Sequence, residues 1–221
     1  MKSQVREFAK FVAYRMPGLD RLGMPRYPYK VNPAQLAYMC EEITRTKAGG
    51  GSILEIGVAK GDTSVFLLEH MRTIGDTRRL YLVDTFSGFT NESIEYEVHA
   101  RGKNKSSLNA FTYGKEETFA SNIRRCGYTN FVTIAVDASR LDYSRLAPIA
   151  VVLLDIDLYL PTIQVLNRIA PHMAHPSSIV VDDCVEERLW DGSLQAYREF
   201  IGARGMDAVL LGEKGGLITF D

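Results

Sequence analysis

Leu54–Ser64, "LEIGVAKGDTS", decides how the rest of the chain is read. Ser52–Val58 is a short apolar run with strand character, Gly57 and Gly61 interrupt it, and Asp62–Thr73 takes up helical spacing. A strand, a glycine turn and a helix open a unit in which parallel strands are joined by crossover helices. The alternation continues outward. Leu80–Asp84, "LYLVD", reads as a second strand, Phe131–Val136 as a third, and Ala150–Leu154 as a fourth followed by a helix from Pro161. Ser178–Val181 is a fifth, with a helix near Ser193–Ala203 after it. The tail, "DAVLLGEKGGLITFD", holds two strands around a Gly-rich turn. Before the glycine turn, Asn32-Pro33 opens a helix to about Lys47, with Asn32 as N-cap, and Ala48–Ser52 breaks it. The pattern predicts an α/β fold: a mostly parallel sheet covered on both faces, with a C-terminal hairpin that makes one late strand antiparallel.

The composition bounds the function. The chain has 221 residues, 46% hydrophobic and 24% charged, with a formal net charge of −1. That balance makes no electrostatic case for nucleic acid. Cys40, Cys126 and Cys184 lack metal or redox spacing, and three thiols suggest a reduced, cytoplasmic setting rather than a disulfide framework. No segment approaches the ~20 apolar residues of a membrane helix. The N-terminal "MKSQVREFAKFVAYRMPG" lacks the apolar core of a signal peptide. Val5, Phe8, Val12 and Met16 share one helical face there, which predicts packing on the domain or on a partner subunit, with association at a membrane surface as the lesser alternative. The expected organisation is a helical extension over residues 1–47 and one catalytic domain over 48–221. A homodimer or larger assembly is expected through Met1–Gly23.

In parallel sheets the ligand lies beyond the carboxyl ends of the strands. Acids cluster at those ends: Glu55 near the first strand, Asp84 after the second, Asp137 after the third, Asp155 after the fourth, and Asp182-Asp183 after the fifth. Any one of them is as well explained as a helix N-cap or a solvated strand end; five in succession are not. The glycine loop has Gly-x-x-x-Gly spacing and lacks both the dinucleotide fingerprint and the Gly-Lys-Ser/Thr of a phosphate loop. Glu55 is a poor neighbour for a pyrophosphate and suits an ammonium or sulfonium. Asp84 occupies the position that binds ribose hydroxyls in nucleoside-binding sheets, and Asp137 falls near an expected adenine. Together these describe a nucleoside with a zwitterionic tail, S-adenosylmethionine.

The glycine loop, "VDTFSGF" (Val83–Phe89), "LLDIDLYLPT" (Leu153–Thr162) and "VVDD" (Val180–Asp183) resemble the TylF/MycF family, the macrocin O-methyltransferases. The resemblance spans roughly Ile53 to Cys184. It implies a Rossmann-like class I methyltransferase fold of seven mostly parallel strands with N-terminal helices. It also implies dependence on S-adenosylmethionine and Mg²⁺, and methylation of a sugar hydroxyl on a glycoside or saccharide. Position by position, Asp155, Asp182 and Asp183 match the metal ligands and Asp157 the general base. Glu55, Gly57 and Gly61 match the methionine end of the cofactor and Asp84 its ribose. Thr63, Ser64, Thr85, Asp137, Ala138 and Asp155 complete the expected cofactor set. Cys184-Val185 replaces a Tyr-Gly often found in the family, and Ser87–Lys115 does not match closely enough to name an acceptor.

Along a strand, Asp155 and Asp157 would share a face; if the strand frays at Asp155, they flank a cavity. Two like charges ~4 Å apart repel by roughly 4 kcal/mol at an effective dielectric of 20. Four converging carboxylates therefore need a cation or shared protons, and hard oxygen ligands favour Mg²⁺. His70, His172 and His175 read as surface or core residues. His99 lies in the long segment after the second strand, which has the length of a lid. Cys184 reads as a packing residue, and Trp190 either packs at the site rim, the favoured reading, or contacts a sugar face. The alternative acceptor is a catechol or phenol. An NAD-dependent oxidoreductase is disfavoured by Glu55 and the missing fingerprint, and an inert scaffold by the retained acids.

Overall fold

The computed structural model describes residues 2–19, 27–112, 114–186 and 189–221. Its sheet has seven strands: β1 (Ser52–Ile56), β2 (Leu80–Asp84), β3 (Phe131–Ala135), β4 (Ile149–Leu154), β5 (Met173–Val181), β6 (Val209–Leu211) and β7 (Gly215–Phe220). The order is β3-β2-β1-β4-β5-β7-β6. The first five strands are parallel, and β7 runs antiparallel to both β5 and β6. The chain order reverses between β1 and β4, the place where open parallel sheets bind ligands.

The helices are α1 (Lys2–Ala13), α2 (Pro33–Thr46), α3 (Asp62–Thr73), α4 (Asn91–His99), α5 (Glu116–Arg125), α6 (Tyr159–Ile169) and α7 (Gly192–Gly202). All six residues of β4 are buried, and they divide between two cores. Val152 and Leu154 pack with Val165, Leu166 and Phe200 of α6 and α7. Val151 and Leu153 pack with Met39 and Ile43 of α2, Leu67 of α3 and Phe119 of α5. A strand covered on both faces has no polar side to show, which explains the unbroken apolar run.

Three boundaries differ from the sequence reading by two residues or more. β1 ends at Ile56, not Val58, because Gly57 turns the chain at φ 88°. β5 starts at Met173, five residues earlier than Ser178, and carries Pro176. α6 begins at Tyr159, which leaves Pro161 in the first turn, where a missing N–H costs nothing. The segment after β2 holds two helices that the sequence reading did not mark, α4 and α5. Each buries few residues: Ser93 and Glu97 in α4, and Phe119, Ala120 and Ile123 in α5.

Helix α2 starts as expected, with Asn32 as N-cap and Pro33 in the first turn. Gln35 completes a capping box by accepting the Asn32 N–H at 3.0 Å. At the other end Arg78 donates to the Ile43 carbonyl (2.6 Å) while paired with Asp76 (2.6 Å), satisfying an orphan helix carbonyl and tying α2 to β2. In α1 the side chains of Val5, Phe8 and Phe11 are exposed. Part of the expected assembly segment, Met1 and Asp20–Gly23, lies outside the described residues. No helix among the described residues is long and apolar enough to cross a membrane.

Candidate active site

A cavity of about 590 Å³ opens at the carboxyl ends of β1, β2, β4 and β5. Its floor is built by close approaches of backbone. A Cβ on Gly57 would lie 1.7 Å from the Asp155 carbonyl oxygen, so no larger residue fits between β1 and β4. The Gly57 N–H donates to the Val83 carbonyl at 2.8 Å, and the Asp155 N–H to that of Ile56 at 2.8 Å. These bonds continue the sheet into the turn and fix where the acids project.

On the cofactor side of the expected site, Glu55 is buried and accepts a hydrogen bond from Ser64 Oγ at 2.6 Å. Burial, helped by the nearby Asp84 charge, pushes its carboxyl up to about 8 against the opposing hydrogen bond from Ser64. Asp84 bridges two turns: its Oδ2 accepts the Val58 N–H (2.9 Å) and its Oδ1 that of Phe86 (2.8 Å). Thr85 donates to the Gly88 carbonyl at 2.6 Å. Asp137 caps a short turn by accepting Ser139 N–H and Oγ at 2.9 and 2.7 Å, and it also lines the cavity.

Across the cavity, Asp155, Asp157 and Asp183 each present a carboxylate oxygen within 4.8 Å of the others. β4 ends at Leu154, so the strand pleat does not carry Asp155 and Asp157 onto one face. Asp157 instead sits in a tight turn at φ 62°, closed by a 2.6 Å bond from the Leu158 N–H to the Ile156 carbonyl. Asp183 also has positive φ, 54°. Left-handed backbone at two non-glycine acids costs about 1–3 kcal/mol each and is the sort of strain retained at functional sites. Burial first, then the charge of Asp182 and those of Asp157 and Asp183, holds Asp155 well above the usual carboxylate range. Burial and Asp183 do the same to Asp157, whose carboxyl hydrogen-bonds to that of Asp183. Three oxygen donors at this separation, with a repulsion to be relieved, fit a hard divalent cation such as Mg²⁺.

Asp182 stands apart from that trio. Its Oδ1 accepts Gln35 Nε2 at 2.9 Å and its Oδ2 accepts Lys214 Nζ at 2.7 Å. Lys214 also donates to Asp183 Oδ1 at 2.8 Å. Burial opposes the charge on Lys214, but Asp182 and Asp183 outweigh it and raise the ammonium above its ordinary range.

Eleven of the thirteen expected site residues line this cavity: Glu55, Gly57, Thr63, Asp84, Thr85, Asp137, Ala138, Asp155, Asp157, Asp182 and Asp183. Gly61 and Ser64 are not among the lining residues. Gly61 caps α3 at φ 87° against Phe119 and Ile123, and Ser64 acts through Glu55. Sequence reasoning passed over Gln35 and Lys214. Neither belongs to a local motif; one comes from α2 and the other from the β6–β7 turn. It also passed over Phe89 and Phe111, which line the cavity with Trp190. His99 is exposed at the end of α4 and is not a lining residue, while Thr90 and Ser93, near the start of that helix, are. Cys184 is buried, its thiol pushed up to about 12 chiefly by burial, in keeping with a packing role.

A sheet of this order, with a glycine turn, an acid after β2 and a carboxylate cluster across one cavity, defines a group-transfer enzyme of the methyltransferase class. A sequence family described as a methyltransferase domain matches residues 54–184. That is more than half of the chain, and the chain belongs to this family. It is 27% identical over 176 residues to the 8-demethyl-8-(2,3-dimethoxy-alpha-L-rhamnosyl)-tetracenomycin-C 4'-O-methyltransferase of Streptomyces olivaceus. The match covers 78% of this chain and 63% of that relative, so the chain spans less than two thirds of its length. Among solved structures, the O-methyltransferase NovP superposes with a TM-score of 0.69 at 17% identity, covering 88% of this chain and 82% of NovP. The calicheamicin methyltransferase CalS11 superposes at 0.67 and 18% identity, covering 99% and 92%. At these identities the likeness establishes the fold.

Proposed function

We propose that this methyltransferase transfers the methyl group of S-adenosylmethionine to a hydroxyl of a sugar, on a glycoside or free saccharide, with Mg²⁺ at the acid cluster. The observation that carries the reading is the placement of Asp155, Asp157 and Asp183 across the same cavity as the Gly57 turn, Glu55 and Asp84. The name of the Streptomyces olivaceus relative, which carries a rhamnosyl group, supports a sugar acceptor, as does the resemblance to the macrocin O-methyltransferases. Bound S-adenosylmethionine supplies an electrophilic methyl on sulfonium, and Mg²⁺ a Lewis acid that makes a weakly acidic aliphatic hydroxyl easier to deprotonate. The chain does the rest. Glu55, once ionised, faces the ammonium of the methionine tail, and the Gly57 turn lets that tail approach the backbone. Asp84 and Asp137 orient the nucleoside. Asp155 and Asp183 hold the cation, with Asp182 as the third ligand; its oxygens keep unused lone pairs beside Gln35 and Lys214. Asp157 takes the hydroxyl proton as the new O–C bond forms and the methyl–sulfur bond breaks, leaving S-adenosylhomocysteine. We further propose that chains assemble through α1.

The test separates base from ligand. Asp157→Asn should lower kcat by about 10²–10⁴-fold while Mg²⁺ and S-adenosylhomocysteine still bind. Asp155→Asn and Asp183→Asn should weaken Mg²⁺ in calorimetry and be partly rescued by excess metal. Loss of Mg²⁺ binding in Asp157→Asn with retention in Asp155→Asn would exchange the two roles. Undiminished turnover in EDTA would remove the cation from the reading.

A further inference from the structure

Three aromatic rings gather from three separate loops: Phe89 precedes α4, Phe111 lies between α4 and α5, and Trp190 precedes α7. Phe89 lies 5.6 Å from Phe111 and 5.5 Å from Trp190, centroid to centroid, and Phe111 and Trp190 are 6.4 Å apart. All three line the cavity. None belongs to the two main cores, so the rings are not there to stabilise the sheet.

Their presentation is built. Gly88, at φ 87°, brings its backbone so near residue 110 that a Cβ would lie 2.8 Å from the Ala110 carbonyl oxygen. That approach sets Phe89 and Phe111 side by side. Phe111 itself holds φ 60° and stays 37% exposed. A bulky residue in left-handed backbone is rare, and persists where the surroundings hold it for a purpose. Trp190 is followed by Asp191, which Arg101 and Lys103 grip at 2.5 and 2.7 Å. These pairs tie the segment after α4 to the Trp190 loop.

We propose that Phe89, Phe111 and Trp190 form an acceptor subsite for a flat, apolar, aromatic aglycone attached to the sugar being methylated. The proposal rests on the sugar O-methyltransferase reading above and deepens it. Aromatic faces stack on planar rings with offset or edge geometry at these centroid separations. The polar end of such a glycoside meets the carboxylates; its apolar end meets the wall. The charged side chains that line the cavity are eight carboxylates and three lysines, Lys30, Lys60 and Lys214, an acidic excess that disfavours the diphosphate of a nucleotide-activated sugar.

Trp190 is the sole tryptophan of the chain, so its emission reports occupancy of the wall directly. The holoenzyme, with Mg²⁺ and S-adenosylhomocysteine, would be titrated with an aryl rhamnoside, methyl rhamnoside and a nucleoside-diphosphate rhamnose. The aryl rhamnoside should quench saturably at a concentration at least tenfold lower than the other two. Phe111→Leu, checked for folding by its thermal melt, should reduce the aryl-over-methyl preference roughly five- to tenfold, both in quenching and in kcat/KM with S-adenosylmethionine. Equal affinity for aryl and methyl rhamnoside, tighter binding of the nucleotide sugar, or an unchanged preference in Phe111→Leu overturns the subsite, even if all sugars are methylated. Aryl preference with the new methyl found by mass spectrometry on a phenolic oxygen overturns the sugar reading while leaving an aromatic-binding wall.

Discussion

Glu55 is an acid enclosed by its own strand, with Leu54 and Ile56 on either side and Ser64 Oγ as its hydrogen-bond partner at 2.6 Å. Its carboxyl is raised from 4.5 to about 8. The folded chain therefore holds a proton across that range that the unfolded chain has released. Stability linked to Glu55 is complete below about 4.5 and declines as pH rises to about 8. An ammonium group placed against Glu55 favours the ionised form, so binding must expel the proton. S-adenosylhomocysteine affinity should rise with pH up to about 8. At pH 7 its binding heat should depend on the ionisation enthalpy of the buffer. Glu55→Gln should remove the proton release and weaken binding. Buffer-independent heats in the parent protein would show that Glu55 does not meet the cofactor's amine. The sequence placed this acid correctly at the head of β1, but not its charge state. That state comes from burial and the nearby Asp84 charge, working against the hydrogen bond from Ser64, a residue that a linear reading assigned to the ligand.

Helix α4 illustrates what an element's sequence hides. "NESIEYEVH" shows neither a strong apolar stripe nor a breaker pattern, because it packs through charge rather than through a greasy face. Glu97 is 1% exposed; it accepts the Tyr159 N–H at 2.7 Å and Arg101 Nε at 2.8 Å. The Tyr159 N–H is one of the orphan donors at the start of α6, two residues after the strained turn at Asp157. From the other side, the Ser193 N–H donates to the Asp157 carbonyl at 3.2 Å, and a Cβ on Gly192 would come within 2.9 Å of that oxygen. Asp157 is thus held by α4 through α6 and by the start of α7. The long segment after β2, readable as a lid, is anchored by these bonds. Glu97→Gln keeps an acceptor for Tyr159 but removes one of the two carboxylates that Arg101 pairs with. It should cost about 1.5–3 kcal/mol in urea unfolding and lower kcat more than it raises KM. Glu97→Ala, which also orphans the Tyr159 N–H, should lose more of both. Wild-type stability and kcat in Glu97→Ala would remove α4 from the support of Asp157.

At the scale of the whole chain, most of the architecture was legible because apolar strands and glycine breaks alternate locally. β1 to β5, the C-terminal hairpin and α2, α3, α6 and α7 follow from that pattern. The acids were legible because strand ends are sequence positions. What joins distant elements was not: Gln35 and Lys214 reach Asp182 from 147 and 32 residues away. The N-terminal helix belongs to neither class. Its spacing is plain in the sequence, yet the structure leaves Val5 66%, Phe8 68% and Phe11 53% exposed. A contiguous apolar patch of this sort marks an interaction surface, and a second copy of the chain is the occupant we propose. Two α1 helices related by a two-fold axis present the same face to each other, so each apolar residue meets its own kind. Light scattering should then give a mass above the monomer that falls on dilution. Phe8→Glu combined with Phe11→Glu places two charges on each facing helix, and should yield monomers whose thermal unfolding of the sheet domain is little altered, since neither residue joins its cores. A parent chain that is monomeric at every concentration, or a double variant with unchanged mass, would leave α1 without this role.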